Sequence, residues 1–132
     1  MDLVGEQMDY YRHRAGEYDQ WWFRRGRYRL EPAAERRWFA DVAEVEAALD
    51  RFAPSGAVLE FACGTGLWTR RLVRHAGSVT AVDSSAEMIA RNQARVAGPV
   101  TYVHVDIFGW APPAGGFDLY AAGAMAPCDP RR

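Results

Sequence analysis

The stretch Val58-Leu59-Glu60-Phe61-Ala62-Cys63-Gly64-Thr65-Gly66-Leu67-Trp68-Thr69 limits what this chain can fold into more than any other. A short apolar run ends at an acid, a turn holding two glycines follows, and a helical pattern then begins. That order predicts a strand feeding a tight loop into a helix N-terminus. Without a Cβ, Gly64 and Gly66 take positive φ and let a ligand approach the backbone. The N–H groups at the helix start, together with the helix dipole, favour an anionic or electron-rich ligand.

The same unit recurs downstream. Trp68, Leu72 and Ala76 stand at i+4 spacing and predict a helix that stops near Gly77. Val79 to Val82 reads as a second strand ending in Asp83. Ser84-Ser85-Ala86-Glu87 has the capping-box pattern, serine followed three residues later by glutamate. The next helix is expected to bury Ala86, Ile89, Ala90, Ala94 and Ala97, and Gly98-Pro99 closes it. Val100 to Val105 is a third strand ending in Asp106, and Phe117 to Ala122 a fourth. Strands alternating with helices imply right-handed crossovers and a parallel sheet, an α/β fold.

Upstream, Pro32 suits a helix start. Trp38, Val42, Val45, Leu49 and Phe52 follow as one apolar stripe, the face that packs on the sheet. Before it, residues 3–25 mix Tyr10, Tyr11, Tyr18, Trp21, Trp22 and Phe23 with several arginines, and a helix is expected over about Met8 to Phe23, broken near Gly16. Three readings stand for this leader: a lid over a small-molecule cleft, a helix that docks by its aromatics, or an RNA-stacking surface. Interleaved acids and the lack of an RNA-module signature disfavour the last. A net charge of −1 also argues against a general nucleic-acid binder.

Length sets one domain: 132 residues with 49% hydrophobic content can bury a core. Two distant cysteines, Cys63 and Cys128, form neither a disulfide framework nor a zinc spacing, so a reducing, cytoplasmic setting is the simplest one. His13, His75 and His104 lack metal-ligand spacing, and no metal site is expected. Neither a membrane-length apolar run nor a signal-peptide pattern is read.

Glu60, Asp83 and Asp106 fall at the same point of successive units, twenty-three residues apart in each case. All three are therefore expected at the carboxyl edge of one sheet, where open α/β sheets bind ligands. Asp83 is placed to grip two vicinal ribose hydroxyls, and Asp106 to accept from an exocyclic adenine amine. Glu60 would favour an ammonium or help hold the loop. Met88 would pack on the adenine or simply fill the core. Together these describe an adenosine with an amino-acid-like tail. A dinucleotide would put its pyrophosphate at the loop, beside an unwelcome glutamate, and Thr69 stands where the dinucleotide fingerprint has its third glycine. An NAD-dependent oxidoreductase is the weaker reading on both counts.

Residues 58–66 resemble the first motif of class I S-adenosylmethionine-dependent methyltransferases. Ala81 to Ile89 resembles their second, Val103 to Phe108 their third, and Phe117-Asp118-Leu119 the start of the fourth. Tyr10 to Asp19 is similar to the leader of many small-molecule members. The resemblance implies a Rossmann-like sheet in the order 3-2-1-4 and methyl transfer from S-adenosylmethionine to a small-molecule acceptor. It implies that Gly64 and Gly66 admit the methionine part, that Asp83 binds the ribose, and that Asp106 and the Ile107 backbone bind adenine. It further brings Ala62, Cys63 and Ser84 to the cofactor cleft and has Tyr11 and Tyr18 close over it. No catalytic base is identified.

Family members of this kind continue past the fourth strand with a helix, a fifth strand and a terminal hairpin, whereas residues 123–132 show neither period. The chain is therefore divided into a leader at 1–30, an incomplete cofactor domain at 31–122 and an irregular tail at 123–132. A truncated product that keeps a cleft without turnover is the alternative to an active enzyme. An open fourth strand would expose Phe117, Leu119 and Tyr120 and invite pairing with a second copy.

Overall fold

The computed structural model describes residues 2–107 and 109–122, apart from the side chains of Val4, Gln7, Met8, Asp9, Tyr11 and Arg12. Its four parallel strands are β1 (Ala57–Phe61), β2 (Ser78–Asp83), β3 (Val100–His104) and β4 (Leu119–Ala122), in the order β3-β2-β1-β4. The register pairs Val58 with Val79 and Leu119, and Val79 with Val100, so these four share one face. Leu59, Phe61, Val82 and Tyr120 point to the other.

All the long helices lie on the Val58 face. They are α1 (Leu3–Trp22), α2 (Pro32–Phe52) and α4 (Ala86–Arg95), with the single turn α3 (Thr69–Leu72) between β1 and β2. Leu72 joins Val58 and Val79 in one core cluster, and Ile89 joins Cys63 and Ala81 in another. A third cluster is aromatic: Trp21 and Trp22 of α1, Trp38 and Val42 of α2, and Leu67 and Trp68 after the glycine loop. Trp38 Nε1 donates to the Trp22 carbonyl at 3.0 Å, and the Arg24 guanidinium lies 3.6 Å from the Trp38 ring centre. The cluster spans the boundary expected at residue 30, so leader and sheet domain share a core.

Several elements differ from the sequence reading. Helix α1 begins at Leu3, where Asp2 Oδ1 accepts from Gly5 N–H at 2.9 Å, and it runs unbroken through Gly16. A Cβ at Gly16 would stand 3.4 Å from the Arg91 guanidinium of α4, an ordinary contact. Helix α3 stops early because the chain turns back: the amides of Gly77 and Ser78 both donate to the Gly56 carbonyl, at the start of β1. In α4 the expected alanine face is exposed at Ala86, Ala90 and Ala94, as is Ala97 beyond it, while Ile89 and Asn92 are buried. The cap is Ser85, whose Oγ accepts from Met88 N–H at 3.2 Å; Ser84 is exposed. Phe52, expected in the α2 stripe, is 66% exposed. At the β4 edge Tyr120 is exposed as expected, whereas Phe117 and Leu119 are half-buried. Residues 123–132 lie outside the described residues.

Candidate cofactor site

The glycine loop sits at the carboxyl end of β1, between β2 and α4. Ala62 takes φ +50°, Gly64 φ +56° and Gly66 φ +94°. A Cβ at Gly64 would meet nothing within 4 Å, so the backbone there faces open space. At Gly66 the corresponding space is taken: a Cβ would stand 2.9 Å from the Asn92 side chain. Of the two glycines, only Gly64 leaves room for a ligand beside its Cα.

Asp83 ends β2 at the mouth of this loop. Its Oδ2 accepts from Gly64 N–H at 2.9 Å and its Oδ1 from Ser85 N–H at 2.8 Å. A carboxylate has about four lone-pair sites, so two are left for hydroxyls. Asp106 follows β3, exposed, with its carboxylate against its own turn at Gly109. The Val105 amide donates to the Asp83 carbonyl at 3.1 Å, which brings that turn alongside Asp83. Ile107 is half-buried in the turn, and Met88 is half-buried in the first turn of α4. His104 Nε2 donates to the carbonyl of Ser84 at 3.0 Å.

Glu60 is at the strand end but not at the mouth. It is fully buried, its Oε1 accepts from the Thr69 hydroxyl, and its Oε2 has no hydrogen-bond partner among the described residues. Burial, with the Asp83 charge adding to it against the Thr69 hydrogen bond, pushes its carboxyl up to about 7. Cys63 is buried beside it, and burial raises its thiol. Tyr11 lies in α1 with its side chain outside the described residues. Tyr18 is half-buried with its ring 5.6 Å from Trp21, in the aromatic cluster.

The leader reaches the loop through Asp19, which the sequence reading counted only among the interleaved acids and the leader likeness. Asp19 Oδ1 accepts from the Thr65 hydroxyl at 2.7 Å, and both Asp19 oxygens accept from Arg95 at 3.1 and 3.0 Å. Asn92, Thr69 and Tyr102 were missed. They form a buried chain from Glu60 through Thr69 and Asn92 to the Tyr102 hydroxyl, which donates to Asn92 Oδ1 at 2.7 Å. The available signal was Ile89, Asn92 and Val96 at i, i+3 and i+7, which puts Asn92 on the inward stripe.

Comparison with known proteins agrees with this geometry. The family model described as "Methyltransferase domain" matches residues 58–131. Uncharacterized methyltransferases of Mycobacterium tuberculosis and Mycobacterium bovis are 38% identical over 93 residues, covering 68% of this chain and 47% of each relative. Among solved structures, the DhpI–SAM–HEP complex is 38% identical with a TM-score of 0.56, over 86% of this chain and 47% of that one. An S-adenosylmethionine-dependent methyltransferase from Mesorhizobium loti is 30% identical with a TM-score of 0.51, over 58% and 37%. The chain thus spans about half the length of the relatives it matches. Its glycine loop, the acid beside that loop and its 3-2-1-4 parallel sheet all lie in the matched half, and the chain belongs to the class I S-adenosylmethionine-dependent methyltransferases.

Proposed function

We propose that this chain binds S-adenosylmethionine and serves methyl transfer to a small-molecule acceptor. The observation that carries the reading is the Asp83 carboxylate bonded to the Gly64 amide, beside backbone that faces open space. In this reading the remaining acceptor sites of Asp83 hold the ribose hydroxyls. Asp106 and the Ile107 backbone take the adenine, with Met88 against its face and Ser84 at the rim. Ala62, Cys63 and Gly64 border the methionine part, while Gly66 acts by admitting Asn92. The orphaned Glu60 Oε2 is an acceptor without a donor, which fits a nearby ammonium or a water bonded to it. Tyr11 and Tyr18 would border the cleft from α1.

The sulfonium of the bound cofactor supplies an already activated methyl group. What remains for the protein is to bind, to align the acceptor and to exclude water. Calorimetric titration with S-adenosylmethionine tests the reading. Saturable binding, undisturbed by excess NAD, is expected; no binding at millimolar cofactor in a folded sample overturns it.

A second reading is a cofactor-binding chain without turnover. Methyl transfer by the purified chain to any small acceptor would remove it. The exposed β4 edge with Tyr120 supports a homodimer in either case, read out by sedimentation.

A further inference from the structure

Three successive carbonyls of the glycine loop lie within reach of side chains of one helix; Asn92 Nδ2 gives one hydrogen to Thr69 Oγ1 at 3.0 Å and shares the other between two of them. Asn92 Nδ2 lies 3.4 Å from the Cys63 carbonyl and 3.2 Å from that of Gly64, and Arg95 Nη1 donates to the carbonyl of Thr65 at 2.9 Å. Asn92 and Arg95 stand at i and i+3 on α4, so they share a face. Asn92 is fully buried and oriented by Tyr102, and Arg95 is fixed on its other side by a two-pronged pair with Asp19.

Peptide planarity turns this into a statement about the amides. In a trans peptide the C=O and the following N–H point in opposite directions. Holding the Cys63 carbonyl toward α4 turns the Gly64 N–H away from it, and that N–H is found on Asp83. Holding the Gly64 carbonyl turns the Thr65 N–H the same way.

We propose that Asn92 and Arg95 are positioning residues for the cofactor, a clamp on α4 that sets the direction in which the loop presents its Gly64 and Thr65 amides. The inference rests on the cofactor reading given above. It also accounts for a glycine at 66, where a Cβ would stand 2.9 Å from the Asn92 side chain.

The test titrates S-adenosylhomocysteine by calorimetry into the full chain and the variants Asn92→Leu, Arg95→Met, Tyr102→Phe and Gln93→Ala, with the melting temperature of each. Amide hydrogen exchange at Gly64, without cofactor, is read in parallel. Asn92→Leu and Arg95→Met are expected to weaken binding at least tenfold while still folded at the assay temperature, and to speed exchange at Gly64. Tyr102→Phe, which frees Asn92 Oδ1 without touching the loop, weakens binding about threefold and decides the matter with Arg95→Met should Asn92→Leu fail to fold. Gln93→Ala, on the exposed face of the same helix, leaves binding unchanged. Wild-type affinity and wild-type Gly64 exchange in folded Arg95→Met and Tyr102→Phe, even with lowered melting temperatures, overturn the clamp alone. Absence of binding by the wild-type chain overturns the cofactor reading and the clamp with it.

Discussion

At the residue scale, the two loop glycines do different work. Gly64 is held to glycine by its φ of +56° alone, whereas Gly66 has φ +94° and Asn92 within 2.9 Å of the missing Cβ. Gly64→Ala is expected to cost about 1–2 kcal/mol from the left-handed backbone. Gly66→Ala adds overpacking and should cost about 2–4 kcal/mol, a difference that thermal melts resolve. Glu60 sets a pH dependence. Its folded pKa of about 7 lies above the ordinary 4.5, so the folded chain holds this proton more tightly than the unfolded one. Its contribution is complete below about pH 4.5 and is lost as pH rises through 7, on the order of 3 kcal/mol. Stability measured at pH 5 and pH 8 should therefore fall in the wild type more than in Glu60→Gln. Equal slopes would mean that Glu60 is ionised at both values.

What could be read at this scale follows from chemistry that needs no neighbours. A glycine pair after a strand, or an acid at a strand end, signals itself, and Asp83 was legible for that reason. Thr69 was noticed only as a missing glycine; its hydroxyl bridges Glu60 and Asn92, a role that three chain segments must meet to create. Asn92 was invisible because a polar residue in a helix reads as solvent-facing until a partner on β3 and a loop carbonyl are in place. Glu60 was legible as an acid, but its full burial was not.

At the element scale, α4 shows how propensity and burial separate. Its alanines favour the helix without needing the core, and the inward face goes instead to Ile89 and Asn92. Strands β2 and β3 were placed to within two residues because β-branched runs leading to Asp83 and Asp106 bound them. Helices α1 and α3 were misjudged in length: an Asp2 cap lengthens one and the Gly56 carbonyl shortens the other. The docking of α1 on α2 has its own test. Trp38 fills the aromatic cluster and satisfies the buried Trp22 carbonyl. Trp38→Phe removes the donor and leaves that carbonyl bare, at a cost of about 1–3 kcal/mol in urea denaturation. An unchanged midpoint would show that solvent reaches the carbonyl.

At the scale of the whole molecule, the described helices gather on one sheet face. Parallel sheets are ordinarily packed on both faces. Here α2, α3 and α4 cover the Val58 face, while on the opposite face Leu59 and Val82 are buried, Tyr120 is exposed and Trp110 is set edge-on to Phe61. A cavity of about 420 Å³ opens where α2 meets β4, lined by Leu49, Phe52, Leu72, Leu119 and Tyr120. Strand order was legible because right-handed crossovers and the family likeness agree, whereas which helix packs on which face is set by tertiary contacts that no local pattern encodes. Among the described residues no helix is long and apolar enough to cross a membrane.

The central claim is that the mouth between Gly64 and Asp83 is where this chain meets its cofactor. Amide chemical shifts, followed residue by residue during titration with S-adenosylhomocysteine, test it most directly. The account predicts saturable shifts concentrated at residues 62–66, 83–85 and 105–107, all abolished together in Asp83→Ala. Shifts confined to the α2–β4 cavity, with the glycine loop unmoved, would contradict it.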